Sequence, residues 1–171
     1  HIQKELKSGG GVDSATRSDI KQSLDRLNKL NDSTEGFDPA EVKRELQECM
    51  QNYFGVFRRG EFMKKGLDQL NEIKEKVDNL HLKDKSDAFN TSRVEAIELQ
   101  NLFEVAEATA VSAYVRNESR GAHARDDFPE RDDENWLCHT IFDPKNKEVS
   151  KRDVNFQPSQ VEAFPPKVRT Y

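Results

Sequence analysis

The sequence lacks any apolar run long enough to cross a membrane and contains only two cysteines, Cys49 and Cys138. A transmembrane helix needs about 20 predominantly apolar residues in succession, so no membrane span is predicted. Neither cysteine has a second cysteine or another metal ligand nearby at the spacing of a zinc site. Two isolated cysteines are therefore expected to be reduced thiols rather than a disulfide framework.

An excess of positive charge is also missing. The chain carries 27 Lys and Arg against 32 Asp and Glu, a net charge of −5 with the signs mixed along the sequence. Nucleic-acid binding requires a contiguous basic surface, so no nucleic-acid partner is expected. The Gly-x-Gly-x-x-Gly turn that holds a dinucleotide is absent, and Gly9–Gly11 is a bare triplet in a polar stretch that indicates a flexible joint.

The composition is polar, but the chain is long enough for one domain with a core. Of the 171 residues, 34% are hydrophobic and 35% are charged. This balance is typical of thin helical bundles with broad solvated faces. Apolar periodicity through the middle of the chain nevertheless predicts ordered helices.

Four segments repeat apolar residues at intervals of three and four, the spacing of one helical face. The first runs from Ser18, a predicted cap, to Leu30, and its apolar face consists of Ile20, Leu24, Leu27 and Leu30. The second starts at Asp38-Pro39, where the carboxylate can cap the helix and proline suits the first helical position. The third covers Glu61–Leu80, and the fourth, capped by Asn90 or Ser92, continues to Tyr114.

These segments predict an all-α fold. The last three helices, joined by short linkers, form an antiparallel three-helix bundle with the first as a leading helix. Small side chains between Ala106 and Ala113 predict that the fourth helix is the most enclosed. Beyond the bundle an irregular tail is expected, in which β-favouring runs around Asp143-Pro-Lys-Asn can form a short hairpin. The predicted division is 1–17 as a joint, 18–117 as the bundle and 118–171 as loop and tail.

Helical packing does not explain the stretch from Arg116 to Trp136. It holds four arginines, one histidine, seven acidic residues and the only tryptophan of the chain. Arginine binds carboxylates and phosphates through a planar fork of donors. The composition alone leaves two alternatives, a surface turn with weak ion pairs or a recognition segment.

The order of residues favours recognition. Glu118-Ser-Arg-Gly-Ala-His123, Arg125, Asp127-Phe-Pro and Arg131-Asp-Asp-Glu-Asn-Trp136 resemble the C-terminal region of the flavoprotein subunits of succinate dehydrogenase and fumarate reductase. Further segments resemble that family in the same order: Asp25–Asn28, Leu46–Met50, Lys65–Leu67, Phe89–Thr91 and Ala108–Ala113. The ending Phe164–Tyr171 resembles that of bacterial succinate dehydrogenases, which favours a dehydrogenase over fumarate reductase or L-aspartate oxidase.

The resemblance implies a spectrin-repeat-like three-helix bundle and a parent enzyme that oxidises succinate to fumarate. Electrons would pass from covalently bound FAD through an iron–sulfur subunit to quinone. In that family the flavin-binding turn, the flavin-linked histidine and the proton-transferring arginine all lie upstream. The start at His1 resembles the continuation of a helix that leaves the flavin domain. We therefore expect the C-terminal domain of a larger subunit that is peripheral on the cytoplasmic face of the bacterial inner membrane.

No catalytic, cofactor-binding or metal-binding residue is predicted within the chain itself. The resemblance instead implies contact with the flavin and capping domains of the same subunit, through Arg116, Ser119, Arg120, Gly121, His123, Arg125 and Trp136. Other interpretations of the residues are a dicarboxylate site at His123 with Arg120 and Arg125, and a metal site at Cys138-His139. A free-standing helical interaction module remains the alternative for the whole chain, and the sequence upstream of His1 would discriminate between them.

Overall fold

The computed structural model describes residues 14–165 and residue 167. Its elements, in order, are α1 (Arg17–Asp32), α2 (Pro39–Phe54), β1 (Phe57–Arg58), α3 (Gly60–Asp78), α4 (Thr91–Val115), β2 (Ala124–Arg125), α5 (Asp133–Trp136), β3 (Cys138–Asp143) and β4 (Glu148–Asp153). The predicted helical bundle with a leading helix and a tail hairpin is confirmed. The glycine triplet at 9–11, and the ending except for 164–165 and 167, lie outside the described residues.

The helix starts follow from local side-chain chemistry. Helix α1 is capped by Thr16, whose hydroxyl accepts from the Asp19 amide at 3.2 Å while the Asp19 carboxylate accepts from the Thr16 amide at 2.8 Å. This reciprocal capping box needs an acceptor side chain three residues after the cap. Ser18 has Lys21 at that position, so the predicted cap at Ser18 is wrong by two residues.

The predicted caps of the next helices are better placed. Asp38 accepts from the amide of Ala40 at 2.9 Å, and Pro39 opens α2. Asn90 rather than Ser92 caps α4, because its side-chain oxygen accepts from the Arg93 amide at 2.8 Å. Its amide group also donates to backbone carbonyls of the preceding linker, so a largely buried polar side chain has its hydrogen bonds made.

Helices α2, α3 and α4 pack against one another around a single core. The residues before α2 and after α3 lie side by side, since Phe37 bridges to Leu80, and this makes α2 and α3 antiparallel. The buried core is apolar along all three helices, and Leu82 of the α3–α4 linker belongs to it. Its largest members are Leu46, Met63, Ile73, Leu82, Leu99 and Phe103.

Gly66 allows the close approach of α2 and α3. A Cβ atom built on Gly66 would lie 2.5 Å from Tyr53 Cβ and 2.5 Å from Phe54 Cε2. Real carbon atoms do not approach so closely, so any larger residue at this position would force the two helices apart.

The leading helix α1 contributes less to the core than its apolar spacing predicts. Only Leu30 is buried, whereas Ile20 and Leu24 are 53% and 52% exposed. Hydrogen bonds hold the helix to α4, where Arg26 donates to the side chains of Gln100 and Asn101 and to the Ile97 carbonyl. The predicted apolar face of α1 is therefore exposed over the first turns of the helix.

The described residues also form two small sheets. Strands β3 and β4 form the predicted antiparallel hairpin, with Cys138 opposite Asp153 and Asp143 opposite Glu148. Lys147 in its turn contacts the Glu107 carboxylate at 2.5 Å, which ties the hairpin to α4. Strands β1 and β2 form a short parallel pair that the sequence did not predict. In the part of the chain that the structure describes, no helix has the length and apolarity of a bilayer span.

Candidate functional site

Residues 116–136, hereafter the charged segment, lie at the end of the bundle where α4 ends and α3 begins. The parallel pair of β1 with β2 places Phe57 beside Ala124 and Arg58 beside Arg125. The Asp126 amide also donates to the Arg58 carbonyl at 2.9 Å. Backbone pairing therefore fixes the segment against the joint between α2 and α3.

A buried glutamate organises one half of the charged segment. Glu118 has 0% exposure, and its two oxygens accept from Arg120 Nε at 2.8 Å and Arg120 Nη2 at 3.0 Å. The Asp132 amide donates to the same carboxylate at 2.9 Å, and Arg116 Nη1 lies 3.5 Å away. A buried carboxylate is tolerated only when its charge and lone pairs are matched in this way.

A second carboxylate–arginine pair connects two helix ends. Arg125, only 3% exposed, donates from Nε and Nη2 to the two oxygens of Asp127, each at 2.7 Å. Its Nη1 donates to the Tyr114 and Arg116 carbonyls at the end of α4, and Asp127 accepts from the Gly60 amide at the start of α3. Each charge has the sign that stabilises the helix end it meets.

The electrostatics of Asp127 follow from these contacts. The hydrogen bonds from the Arg125 guanidinium, with a smaller contribution from the Gly60 amide, hold the pKa of the Asp127 carboxyl well below its usual range. The carboxylate therefore stays ionised at neutral pH and is unsuited to accept a proton in catalysis.

Between these pairs the chain makes a tight turn. The Arg120 and His123 backbones exchange hydrogen bonds at 2.8 and 3.0 Å, and Gly121 adopts a φ of +57° at the first central position. Type II′ turns require that conformation, which glycine adopts without a Cβ clash. Ser119 braces the turn, because its hydroxyl accepts from the Arg125 amide and donates to the Phe128 carbonyl, both at 2.8 Å.

His123 connects the turn to the bundle in a defined protonation state. Nε2 lies 3.2 Å from the Arg116 carbonyl, which can only accept, so Nε2 carries the proton. Nδ1 then accepts from Arg58 Nη1 at 2.7 Å. Burial lowers the pKa of His123, and the nearby arginine charges lower it further, so the neutral ring is favoured.

Arg116 and Trp136 join the charged segment to the hairpin. Arg116 Nη2 donates to the Trp136 and Cys138 carbonyls, both at 2.7 Å, and its guanidinium lies 5.3 Å from the centre of the Trp136 ring. Lys151 of β4 places its ammonium 3.6 Å from the centre of the same ring. Cation–π contacts of this kind orient the tryptophan at the base of the hairpin.

The structure thus brings the seven predicted contact residues into one network: Arg116, Ser119, Arg120, Gly121, His123, Arg125 and Trp136. Whether they also contact another domain stays a prediction. The dicarboxylate interpretation is not supported, because Arg120 binds Glu118 and Asp133 while Arg125 binds Asp127.

The metal interpretation also finds no support. His139 is exposed on β3 while its neighbour Cys138 is partly buried. Among the described residues, no three His, Cys, Asp or Glu side chains cluster as metal ligands would.

Four important residues of this network were not among the predicted contact residues: Arg58, Gly60, Glu118 and Asp127. Glu118 lies two residues from an arginine on each side, a pattern that could have indicated an internal ion pair. Asp127 likewise lies two residues after Arg125. Arg58 and Gly60 reach the segment only through tertiary packing, for which the local sequence carries no signal.

The sequence matches the protein-family model described as "Fumarate reductase flavoprotein C-term" over residues 43–171. The succinate dehydrogenase flavoprotein subunit of Coxiella burnetii is 41% identical over 169 residues, which cover 99% of this chain and 29% of that protein. The fumarate reductase flavoprotein subunit of Proteus vulgaris is 40% identical over 136 residues, covering 78% of this chain and 22% of that protein.

Solved structures show the same relationship. An E. coli quinol fumarate reductase chain superposes with a TM-score of 0.76 at 32% identity, covering 93% of this chain and 28% of that chain. An adenylylsulfate reductase from Archaeoglobus fulgidus, at 18% identity and a TM-score of 0.72, shares the fold. The chain spans less than a third of the length of each of these proteins. It belongs to the family of C-terminal domains of succinate dehydrogenase and fumarate reductase flavoprotein subunits.

Proposed function

We propose that the chain is the C-terminal helical domain of a succinate dehydrogenase flavoprotein subunit. The complete subunit would oxidise succinate to fumarate, with FAD as its cofactor, and pass electrons through an iron–sulfur subunit to quinone. The observation that carries this proposal is a 41% sequence identity to a succinate dehydrogenase flavoprotein subunit. The identity extends over 169 residues, almost the whole chain.

The role of this domain within the subunit would be structural. In the described part of the charged segment, arginines donate to the segment's own carboxylates and to backbone carbonyls. A guanidinium held in this way is not available to move a proton or bind a substrate carboxylate. The network instead forms a rigid brace between α3, α4 and the hairpin, and the brace presents the domain to its neighbours.

The residues of this chain do not fit a flavin site of their own. The sequence has no glycine-rich turn to cradle the diphosphate, and Arg120 and Arg125 are already bound to carboxylates. We therefore place FAD in the flavin domain upstream, with the charged segment contacting the flavin and capping domains. Through the iron–sulfur subunit, the whole would lie on the cytoplasmic face of the inner membrane.

Fumarate reductase is the second candidate for the parent enzyme. Its support is the Proteus vulgaris relative, which is 40% identical, although over the shorter span of 136 residues. The ending Phe164–Tyr171, which resembles bacterial succinate dehydrogenases, favours the dehydrogenase. The two enzymes catalyse opposite directions of the same reaction, so the direction has to be measured.

The test uses the complete subunit, produced together with its iron–sulfur partner. We expect succinate to reduce an electron-accepting dye faster than the reduced dye reduces fumarate. A rate with fumarate that exceeds the rate with succinate would favour the reductase. A flavin-containing preparation with no activity on either dicarboxylate would overturn the proposal.

A further inference from the structure

An open groove runs along α4 beside the network already described and shares Arg58, Arg116 and His123 with it. Its volume is about 670 Å³. Its lining consists of small residues of α4, among them Ala108 and Ser112, together with residues of β3 and with Arg58 and His123. The small side chains of α4 would let a neighbouring backbone approach the helix closely.

Arg58 in the wall of this groove differs from the arginines of the charged segment. Its guanidinium donates to the Phe54 and Gly55 carbonyls and to His123 Nδ1, all of which are neutral acceptors. No carboxylate of residues 14–165 forms an ion pair with it. Arg116, Arg120, Arg125 and Arg131 each have an acidic partner. Arg58 is thus a partly buried charge that no carboxylate of the described residues neutralises, and burial lowers the pKa of its guanidinium.

The other charged side chains of the lining do not balance Arg58. Arg116 pairs with Glu118, the neutral ring of His123 accepts from Arg58, and Glu104, the acidic residue of the lining, forms no ion pair with Arg58 in the described part of the chain. Two polar atoms in the walls, Arg116 Nε and Thr140 Oγ1, are buried without a hydrogen-bond partner among the described residues. Such atoms are rare in finished interiors, so the walls have the character of an incomplete interface.

The length of the groove distinguishes a polypeptide from a small anion. Its lining on α4 extends from Glu104 to Arg116, which at a rise of about 1.5 Å per residue corresponds to about 18 Å. An extended strand of about five residues covers that distance, whereas a single carboxylate or phosphate fills only a small part of it. The open, elongated shape therefore fits a segment of chain.

We propose that this groove docks an extended polypeptide segment whose carboxylate side chain pairs with Arg58. The segment would come from the part of the flavoprotein subunit outside residues 1–171, so the inference rests on the proposed function. Beyond the proposed function, the groove identifies which face of the domain is covered and which side chain recognises the covering segment.

Cys138 provides a footprint for this docking. Its partly buried thiol lines the groove, whereas Cys49 is buried in the core, where burial raises its pKa to about 11. Alkylation with iodoacetamide, followed by peptide mass analysis, would compare this chain alone with the complete subunit. We expect Cys138 to react at least about tenfold more slowly in the complete subunit, with Cys49 unreactive in both. Equal rates at Cys138 would overturn the proposal.

Two variants with matched controls test the recognition. Arg58→Gln in the complete subunit should restore fast alkylation of Cys138, whereas Arg59→Gln, at an exposed neighbour, should not. Ser112→Trp should fill the groove, leaving the thermal midpoint of this chain unchanged but lowering that of the complete subunit. Glu95→Trp, on an exposed turn of the same helix, should change neither midpoint. Wild-type behaviour of both test variants would refute the docking.

A small-anion site is a separate outcome. Protection of Cys138 in this chain alone by saturating inorganic phosphate would overturn the polypeptide assignment. Succinate-dependent dye reduction in the same preparation separates this inference from the proposed function. An active subunit with an unprotected Cys138 contradicts the docking alone, and a flavin-containing subunit inactive on both dicarboxylates contradicts the proposed function.

Discussion

Replacing Glu118 by glutamine should destabilise the domain more than any comparable change at an exposed acidic residue. The carboxylate has no solvent exposure and accepts from both Arg120 nitrogens and from the Asp132 amide. Glutamine would retain one acceptor oxygen and place an NH₂ group against a donor. Removing one partner of a buried ion pair costs about 3–5 kcal/mol.

The lower end of that range applies here. The Arg120 side chain is 25% exposed and keeps its contact with Asp133, so the orphaned guanidinium is partly solvated. We therefore expect a loss of about 3 kcal/mol in unfolding free energy, which corresponds to a fall of about 6–12 °C in the thermal midpoint for a chain of this size.

Urea unfolding followed by circular dichroism, with calorimetry for the midpoint, would measure this loss. Glu130→Gln is the matched control, because Glu130 is exposed in the same segment and contributes its backbone carbonyl to Ser119. That change should stay within about 0.5 kcal/mol of the wild type. If Glu118→Gln lowers the unfolding free energy no more than its control does, the buried carboxylate does not organise the segment.

Three further outcomes are expected of this chain. Folding lowers the pKa of His123, so the unfolded chain takes up this proton first as the pH falls. The contribution of the neutral ring to stability is full above about pH 6.5 and is lost as pH falls through the folded pKa. His123→Gln should therefore flatten the pH dependence of the unfolding free energy, measured by urea titration, between about pH 7.5 and 5. Gly66→Ala should lower the unfolding free energy, measured by urea titration, by about 1–3 kcal/mol, because the added Cβ clashes with Tyr53. Alanine normally stabilises a helix interior relative to glycine, so a gain in unfolding free energy would show that the helices can separate freely. Lys147→Ala, which removes a partly exposed pair with Glu107, should change the thermal midpoint by less than the equivalent of about 1 kcal/mol, and a larger fall would mean that this pair anchors the hairpin.

Periodicity predicted the bundle because each core helix buries one face for most of its length. Leu46, Ile73, Leu99 and Phe103 are all buried where their spacing places them. The same signal overestimated α1. Spacing reports that a helix has an apolar face, but it does not report how far along that face a neighbouring helix extends. Among the residues that the structure describes, no helix buries Ile20.

The charged segment was located correctly, but its internal order was not predictable. A run of arginines and acids does not reveal which charges pair with each other and which face outward. Arg125 and Asp127 pair because the backbone holds them between the ends of α4 and α3. That arrangement depends on the parallel contact of β1 with β2, a pairing of two residues per strand. Such a short pairing leaves no periodic signal in the sequence.

The functional assignment came from the order of residues in the segment and not from its chemistry. Glu118-Ser-Arg-Gly-Ala-His123 combines a buried acceptor, a hydroxyl that braces the turn, a positive-φ glycine and a neutral histidine. Each of these is a structural requirement of the brace. The pattern can therefore identify the family while its residues hold the domain together.

This domain belongs to a flavoprotein subunit, and we expect the flavin to be bound outside it. The most direct measurement is proteolysis of the complete subunit under denaturing conditions, with mass spectrometry to locate the peptide that bears covalently bound flavin. We predict that this peptide lies outside residues 1–171 and that every histidine within them is unmodified. A flavin attached to a peptide of this chain, at His123 or His139 for example, would contradict it.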